Sequence, residues 1–216
     1  MDRIKPREIQ LVQQLGRFDK PYWSVADLQK VLGYKSRKTL LVALHRLVGQ
    51  GVLTRMRRGI YRVSIHSTDA AVLANLLYRP SYLSFESALS RYGILSQIPY
   101  TVTLATTRRS KKTTLDGTAV EYRQLRADLF FGYRIEKGLD IADPEKALLD
   151  ALYLMKRGRL SLPLEELDLS GLSAGKLKSY AARFPRYVRS ALEELGHSTR
   201  SRLGRHPVSG QKNGVF

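Results

Sequence analysis

Apolar residues in the first third of the chain recur at helical spacing, in short runs separated by polar stops. Ile9, Val12 and Leu15 are three apart, begin after Pro6 and end at Gly16, which predicts a helix. A second helix is expected from Ser24, with Asp27 three residues on as a variant of the capping box. Its apolar side is Val25, Leu28, Val31 and Leu32, and Gly33 stops it. After Gly33-Tyr34-Lys35, Ser36 can cap a third helix, in which Leu40, Leu44, Leu47 and Val48 follow i, i+4, i+7, i+8 with Leu41 beside them. Two capped helices across a tight glycine turn predict a helix-turn-helix. From Gly51 to Val63 two β-prone runs flank a glycine-containing turn, which predicts a hairpin. Helix, helix, helix, hairpin is the order of a winged helix, expected over residues 1–66.

Polar Ser64, His66, Ser67 and Thr68 then separate this region from a second pattern, and a domain boundary is expected near His66 to Asp69. Asp69 can cap a helix running to Leu77 and Tyr78 before Pro80, and Ser84 another running to Tyr92 before Gly93. Tyr100 to Thr107 alternates with β-branched residues, and Thr113 to Tyr122 is a hairpin about Asp116-Gly117. Leu129 to Arg134 is a further strand candidate whose aromatics read as core. Asp143-Pro144-Glu145 opens a helix that continues through Leu148, Leu149, Leu152 and Tyr153. The expected fold class is therefore α+β: an N-terminal winged helix-turn-helix, then a mixed α/β C-terminal domain at 67–196 with a small antiparallel sheet and helices. Between Leu177 and Leu195 Pro185 predicts a break, and 197–216 reads as a basic flexible tail.

Charge changes this picture from architecture to partner. The 216 residues carry 37 Lys and Arg against 19 Asp and Glu, a net of +18. That self-repulsion is relieved by a polyanion, with nucleic acid the first candidate. Residues 1–66 hold 14 basic and 4 acidic side chains, whereas 67–106 hold 2 of each. The excess is thus concentrated in the predicted winged helix, with a net of +4 over residues 107–137 and +7 over residues 169–216. No apolar run approaches the ~20 residues of a spanning helix, and Met1 to Gln10 lacks a signal-peptide pattern, so no membrane association is expected. The absence of cysteine excludes disulfides and thiolate metal sites and fits a reducing, cytoplasmic setting.

At 100° per residue the face opposite the leucine stripe of the third helix holds Lys35, Lys38, Thr39, Val42, His45 and Arg46. The helix N-terminus favours anions, so Ser36 with Lys35, Arg37 and Lys38 is placed to hold phosphate. Thr39, Val42 and Arg46 could reach base edges, Val42 against a thymine methyl. Arg55, Arg57, Arg58 and Arg62 are expected at the wing, along a phosphate backbone or in a minor groove. His45 has no second metal-binding residue spaced to help it, and no metal or other cofactor is expected.

Four segments of the second region carry a resemblance: Pro80-Ser81-Tyr82-Leu83-Ser84-Phe85-Glu86-Ser87-Ala88-Leu89, Thr101 to Arg109, Asp128 to Tyr133, and Ala142-Asp143-Pro144-Glu145-Lys146-Ala147-Leu148-Leu149-Asp150. In this order behind a winged helix, across roughly residues 6–155, the chain resembles the AbiEi-type antitoxins of bacterial type IV toxin-antitoxin systems. The resemblance implies a cytoplasmic repressor that binds inverted repeats in its own promoter and antagonises a nucleotidyltransferase toxin, without requiring a stable complex with it. It supplies no catalytic residues, and only the DNA-binding role is carried over, onto Lys35 to Arg46 and Arg55 to Arg62. Glu86, Asp143, Glu145, Lys146 and Asp150 could face a partner, although the cap position of Asp143 and the i, i+4 spacing of Lys146 and Asp150 explain much of them structurally.

Two other readings stay open at this point: a regulator without a toxin, and an interaction protein that neutralises a toxin without DNA. A nuclease would use Asp116, Glu121 and Arg123 as spaced metal-binding groups. That pattern has Arg123 where lysine is usual and an Asp-Gly turn that already explains Asp116. With no phosphate-binding loop and only scattered histidines, the chain is not expected to be an enzyme.

Overall fold

The computed structural model describes residues 13–15, 17–18, 20–64, 69–115 and 117–203, with 197–203 as backbone only. The helix expected from Pro6 lies outside these residues except for its end at Leu15, as do the expected linker at 65–68, Asp116 and everything beyond Leu203. The fold is α+β, in two compact units, Met1–Leu73 and Ala74–Phe216.

In the first unit, β1 (Trp23–Ser24) leads into α1 (Val25–Val31), then α2 (Arg37–Gly49), β2 (Leu53–Arg57) and β3 (Ile60–Val63). The predicted capping box is present. The Ser24 hydroxyl accepts from the Asp27 N–H at 3.1 Å, and the Asp27 carboxylate accepts from the Ser24 N–H at 2.9 Å. Gly33, at φ +66°, makes the left-handed turn between α1 and α2, a conformation that a Cβ disfavours. Ser36 caps α2, accepting from the Thr39 N–H. The three strands form one antiparallel sheet in the order β1-β3-β2. Leu28, Leu40, Leu44 and Leu47 close over its Trp23, Leu53, Tyr61 and Val63, with Leu15 and Val25 in the same core. Leu41, placed beside the stripe by sequence, points outward.

The second unit has a larger sheet than its sequence predicts. Its elements are α3 (Ala70–Leu77, which crosses the division between the units), β4 (Ser81–Leu83), α4 (Phe85–Arg91), β5 (Thr101–Thr106), β6 (Lys111–Leu115) and β7 (Thr118–Gln124). They continue as β8 (Tyr133–Glu136), β9 (Leu139–Ala142), α5 (Pro144–Met155), α6 (Ala174–Ala181) and α7 (Arg186–Leu203). The six strands run β6-β7-β5-β4-β9-β8. The β6–β7 hairpin is antiparallel as expected, but β7 lies parallel to β5 over Thr101↔Ala119 to Thr106↔Gln124, and β4 meets β9 in parallel at Leu83↔Ile141. The expected small antiparallel sheet is therefore a six-stranded mixed one. Thr103 to Thr106 are buried at every position, the mark of a central strand covered on both faces.

Two further expectations change. Residues 129–132 are a tight turn followed by coil, and the strand begins only at Tyr133. The partner strand β9 follows across Lys137 and Gly138, both at positive φ, the backbone of a two-residue hairpin turn without its usual Asn-Gly signal. Pro185 does divide the C-terminal helices, but α7 continues past Gly196 to Leu203, beyond where composition suggests structure ends. Among the described residues no helix is long and apolar enough to cross a membrane.

The core of the second unit is organised by a buried ion pair. Lys146 and Asp150 lie one turn apart on α5, both fully buried. Asp150 accepts from the hydroxyls of Tyr82 and Ser84, each at 2.9 Å, and Lys146 donates to Tyr82 at 2.8 Å. The rings of Tyr82, Phe131 and Phe184 surround the ammonium at 5.0–5.3 Å. Burial pulls the Lys146 ammonium down and pushes the Asp150 carboxyl up from their ordinary values, and their mutual attraction opposes both shifts. Ser84 and Asp143 do occupy cap positions, but neither side chain caps its helix. The Ser84 hydroxyl is taken by Asp150, and the Asp143 carboxylate by Arg134 at 2.8 Å, Lys176 at 2.9 Å and Tyr180 at 2.8 Å.

Removing the ammonium alone leaves a buried, uncompensated carboxyl group. Lys146→Met is expected to lose about 3 to 5 kcal/mol in urea unfolding, and Lys146→Met with Asp150→Leu to regain most of it. A loss below about 1 kcal/mol in the single variant would contradict the role assigned to the pair. Although burial works against it, the three partners of Asp143 hold its carboxyl below the ordinary value. The stabilisation from Asp143 is therefore present at neutral pH and lost as pH falls through about 4 and below. Thermal unfolding from pH 6 to pH 3 should show wild type converging on Asp143→Asn as acid is added; a constant gap would refute the assignment.

Candidate nucleic-acid interface

Packing of one face of α2 determines what the other presents. With Leu40, Ala43, Leu44 and Leu47 buried, the opposite side of the helix leaves Lys38, Thr39, Val42, His45 and Arg46 exposed, with Lys35, Ser36 and Arg37 exposed at its N-terminal end. Val42 is 68% exposed. An apolar side chain this open, flanked by cations in the middle of a helix, contributes little to folding and is available to touch a partner. The sequence-predicted residues of this helix thus lie together on one solvent-facing side.

The hairpin follows α2 closely. The Val52 N–H donates to the Leu47 carbonyl at 2.9 Å, and the Gly59 carbonyl in the β2–β3 turn accepts from the Val25 N–H at 3.1 Å. The turn is thereby fastened to the start of α1. Leu53↔Val63, Thr54↔Arg62 and Arg55↔Tyr61 pair in register, but the next pair is Arg57↔Ile60, so Met56 is an extra residue in β2. Because side chains alternate across a strand, that bulge turns Arg57 to the face of Ile60 and Arg62, while Arg55 shares the face of Tyr61. Arg55, Arg57 and Arg58 are exposed and Arg62 is half-buried. The four arginines expected at one tip therefore divide between both faces and the turn. The bulge is the feature that sequence reasoning missed, since nothing in Leu53 to Val63 marks Met56 as unpaired.

The groups that suggested a nuclease are engaged with one another. Arg123 donates to Glu86 at 2.6 Å and Glu121 at 2.8 Å, and Lys112 lies 3.5 Å from Glu121. Burial raises the Glu121 carboxyl, but Arg123 and Lys112 outweigh it and hold the group below its ordinary value. An open groove of about 510 Å³ passes these residues, lined also by Ser110, Gln124, Leu154 and Arg159. Asp116 lies outside the described residues, and among those described no three of His, Asp and Glu gather as metal ligands. Beneath Arg123, buried Phe85 has φ +55°, a strained backbone for an aromatic residue. Hydrogen bonds from Ser84 and Ser87 to β5 hold it in place. Of the residues considered as a partner-facing surface, Asp143, Glu145, Lys146 and Asp150 are buried and Glu86 is half-buried.

No protein-family model matches the chain, and no curated protein matches it. Among solved structures it is similar to the crystal structure of the RV2827C protein from Mycobacterium tuberculosis, with a TM-score of 0.64 and 17% sequence identity. That similarity covers 92% of this chain and 78% of the other. At this identity the likeness concerns the fold.

The cap of α1 supports the interface by fixing where that helix starts, at the point where the Val25 N–H holds the β2–β3 turn. Ser24→Ala removes the hydroxyl that accepts from the Asp27 N–H and leaves the Ser24 N–H bond to the Asp27 carboxylate in place, and a loss of about 1 kcal/mol in thermal or urea unfolding is expected. No measurable loss would show that the helix start is held by its core contacts alone.

Proposed function

We propose that residues up to 64 form a winged helix that binds duplex DNA, with α2 as the recognition helix, and that the chain represses its own operon. The observation that carries this reading is the outward side of α2, where Lys38, Thr39, Val42, His45 and Arg46 are all exposed beside an arginine-rich hairpin. A helix enters the major groove when one side is committed to its own core and the other offers both phosphate and base-edge contacts. Lys35, Arg37 and Lys38 at the N-terminus of α2 supply charge where phosphate is favoured. Val42 offers a methyl-sized apolar contact and Arg46 a guanidinium to a base edge. The concentration of positive charge in residues 1–66 supports the same reading.

The antitoxin part of the proposal rests on the motifs shared with AbiEi-type proteins. In this reading the second unit antagonises a nucleotidyltransferase toxin. The burial of Lys146 and Asp150 makes the most recognisable of those motifs a scaffold for that unit.

Fluorescence anisotropy with duplex DNA from upstream of the protein's own coding sequence, against a shuffled duplex, tests the reading. Lys38→Ala with Arg46→Ala is expected to abolish the preference for the native duplex, and Arg57→Ala with Arg58→Ala to lower the salt slope by about 2. Wild-type affinity in the quadruple variant would sink the groove assignment. Toxin neutralisation retained by a chain without DNA affinity would favour the interaction-protein reading.

A further inference from the structure

In the second unit four basic side chains beside the sheet have a close carboxylate: Lys112 has Glu121, Arg123 has Glu86 and Glu121, Arg126 has Asp128, and Arg134 has Asp143. Arg108 and Arg109, in the connection from β5 to β6, and Lys111, the first residue of β6, are exposed and have no acidic partner among the described residues. Arg79, beside them, has only Asp140 at 3.9 Å. Four cations thus gather with one weak counter-charge. The C-terminal end of α3 offsets part of this charge, but only within its last turn.

The cluster is also held in position. The Arg108 guanidinium lies over the Tyr78 ring at 4.3 Å and donates to the Arg79 carbonyl at 3.3 Å, and the Lys111 ammonium is 5.6 Å from the same ring. Tyr78 is itself fixed. Its hydroxyl donates to the Arg109 carbonyl at 2.9 Å, and its ring packs on Tyr122 at 4.6 Å, whose buried hydroxyl donates to the Ala74 carbonyl at 2.8 Å. The Thr106 hydroxyl donates to the Pro80 carbonyl at 2.7 Å and accepts from the Arg108 N–H at 3.1 Å, fastening this connection to the end of α3. A surface arginine ordinarily loses rotamer freedom when it binds; Arg108 has already lost it.

We propose that Tyr78, Arg79, Arg108, Arg109 and Lys111 form a second phosphate-binding platform, which grips the backbone of duplex DNA independently of sequence. This inference rests on the DNA-binding reading of the first unit and adds a contact from the second. A planar guanidinium held on an aromatic ring suits the oxygens of a phosphodiester, and neighbouring Ser110 and Gln124 are side chains of the type that contact phosphate and sugar. The Tyr78 ring is packed against both Arg108 and Tyr122, so it offers no stacking surface for an unpaired base, which favours duplex over single strand.

The test uses the full chain and two duplexes, the native upstream DNA and a shuffled sequence, in anisotropy titrations over a salt series. Arg108→Ala, Arg109→Ala and Lys111→Ala together are expected to weaken both duplexes by the same factor and lower the slope of log K against log salt by about 2 to 3. Discrimination between the duplexes should persist, and the thermal midpoint should match wild type. Arg108→Lys with Arg109→Lys, which keeps the charge, should retain most of the slope. An unchanged slope in the triple alanine variant, while the Lys38 and Arg46 variant loses its preference, would overturn the platform and leave the recognition helix standing. The reverse pattern would overturn the recognition helix and leave the platform. Loss confined to the native duplex in the triple variant would also overturn the inference, because a backbone contact carries no sequence information.

Discussion

A lysine and an aspartate with no access to water hold the second unit together. Lys146 and Asp150 leave their hydration behind, and that cost is offset only if every donor and acceptor is met in place. Tyr82 and Ser84 on and beside β4 meet the carboxylate, while Phe131 and Phe184 close over the ammonium from outside the sheet. One turn of α5 therefore dictates where β4, the 129–132 turn and the start of α7 must sit. Gly132 shows how tight this is. It has φ +67°, and a Cβ there would come within 3.0 Å of Tyr180 and 3.2 Å of Lys146. The mixed sheet, with both faces of its central strand covered, is the platform on which that pair is assembled.

The first unit is stabilised differently and keeps many of its charges at the surface. Its core is almost wholly aliphatic and aromatic, and its cations ride on the side of α2 and on the hairpin that the core does not use. In the second unit Lys112, Arg123, Arg126 and Arg134 are neutralised locally, whereas Arg108, Arg109 and Lys111 around Tyr78 have no acidic partner among the described residues. Among the described residues some cations are tied into ion pairs that shape the fold, and others are exposed where a polyanion could reach them.

Much of the first unit was legible because its signals are local. Ser24 with Asp27, Gly33, Ser36 and the leucine spacing of α2 each act within four residues, and each appears in the structure as predicted. The exposed side of α2 followed directly, since knowing one face of a helix fixes the other. The β2–β3 hairpin was less legible. The bulge at Met56 depends on how β2 meets β3, and pairing across strands leaves no mark in either strand alone. In the second unit Ser84 and Asp143 were read as caps from their positions, which was right for the backbone and wrong for the side chains. A better partner, distant in sequence, claimed each one. The β9 strand was missed because Lys137-Gly138 makes its turn without the customary asparagine.

By itself, then, the sequence determined the caps of α1 and α2, the glycine turn between them, the leucine-lined core of α2 and the uneven distribution of charge, all consequences of spacing and composition. Tertiary structure alone decided that β5 and β7 run parallel and that the Lys146 and Asp150 pair is buried rather than solvated. It also decided which arginines are neutralised and which stay free around Tyr78. The reason is the same in each case: these outcomes depend on residues dozens of positions apart, and their energies exist only once the chain has brought them together and excluded water.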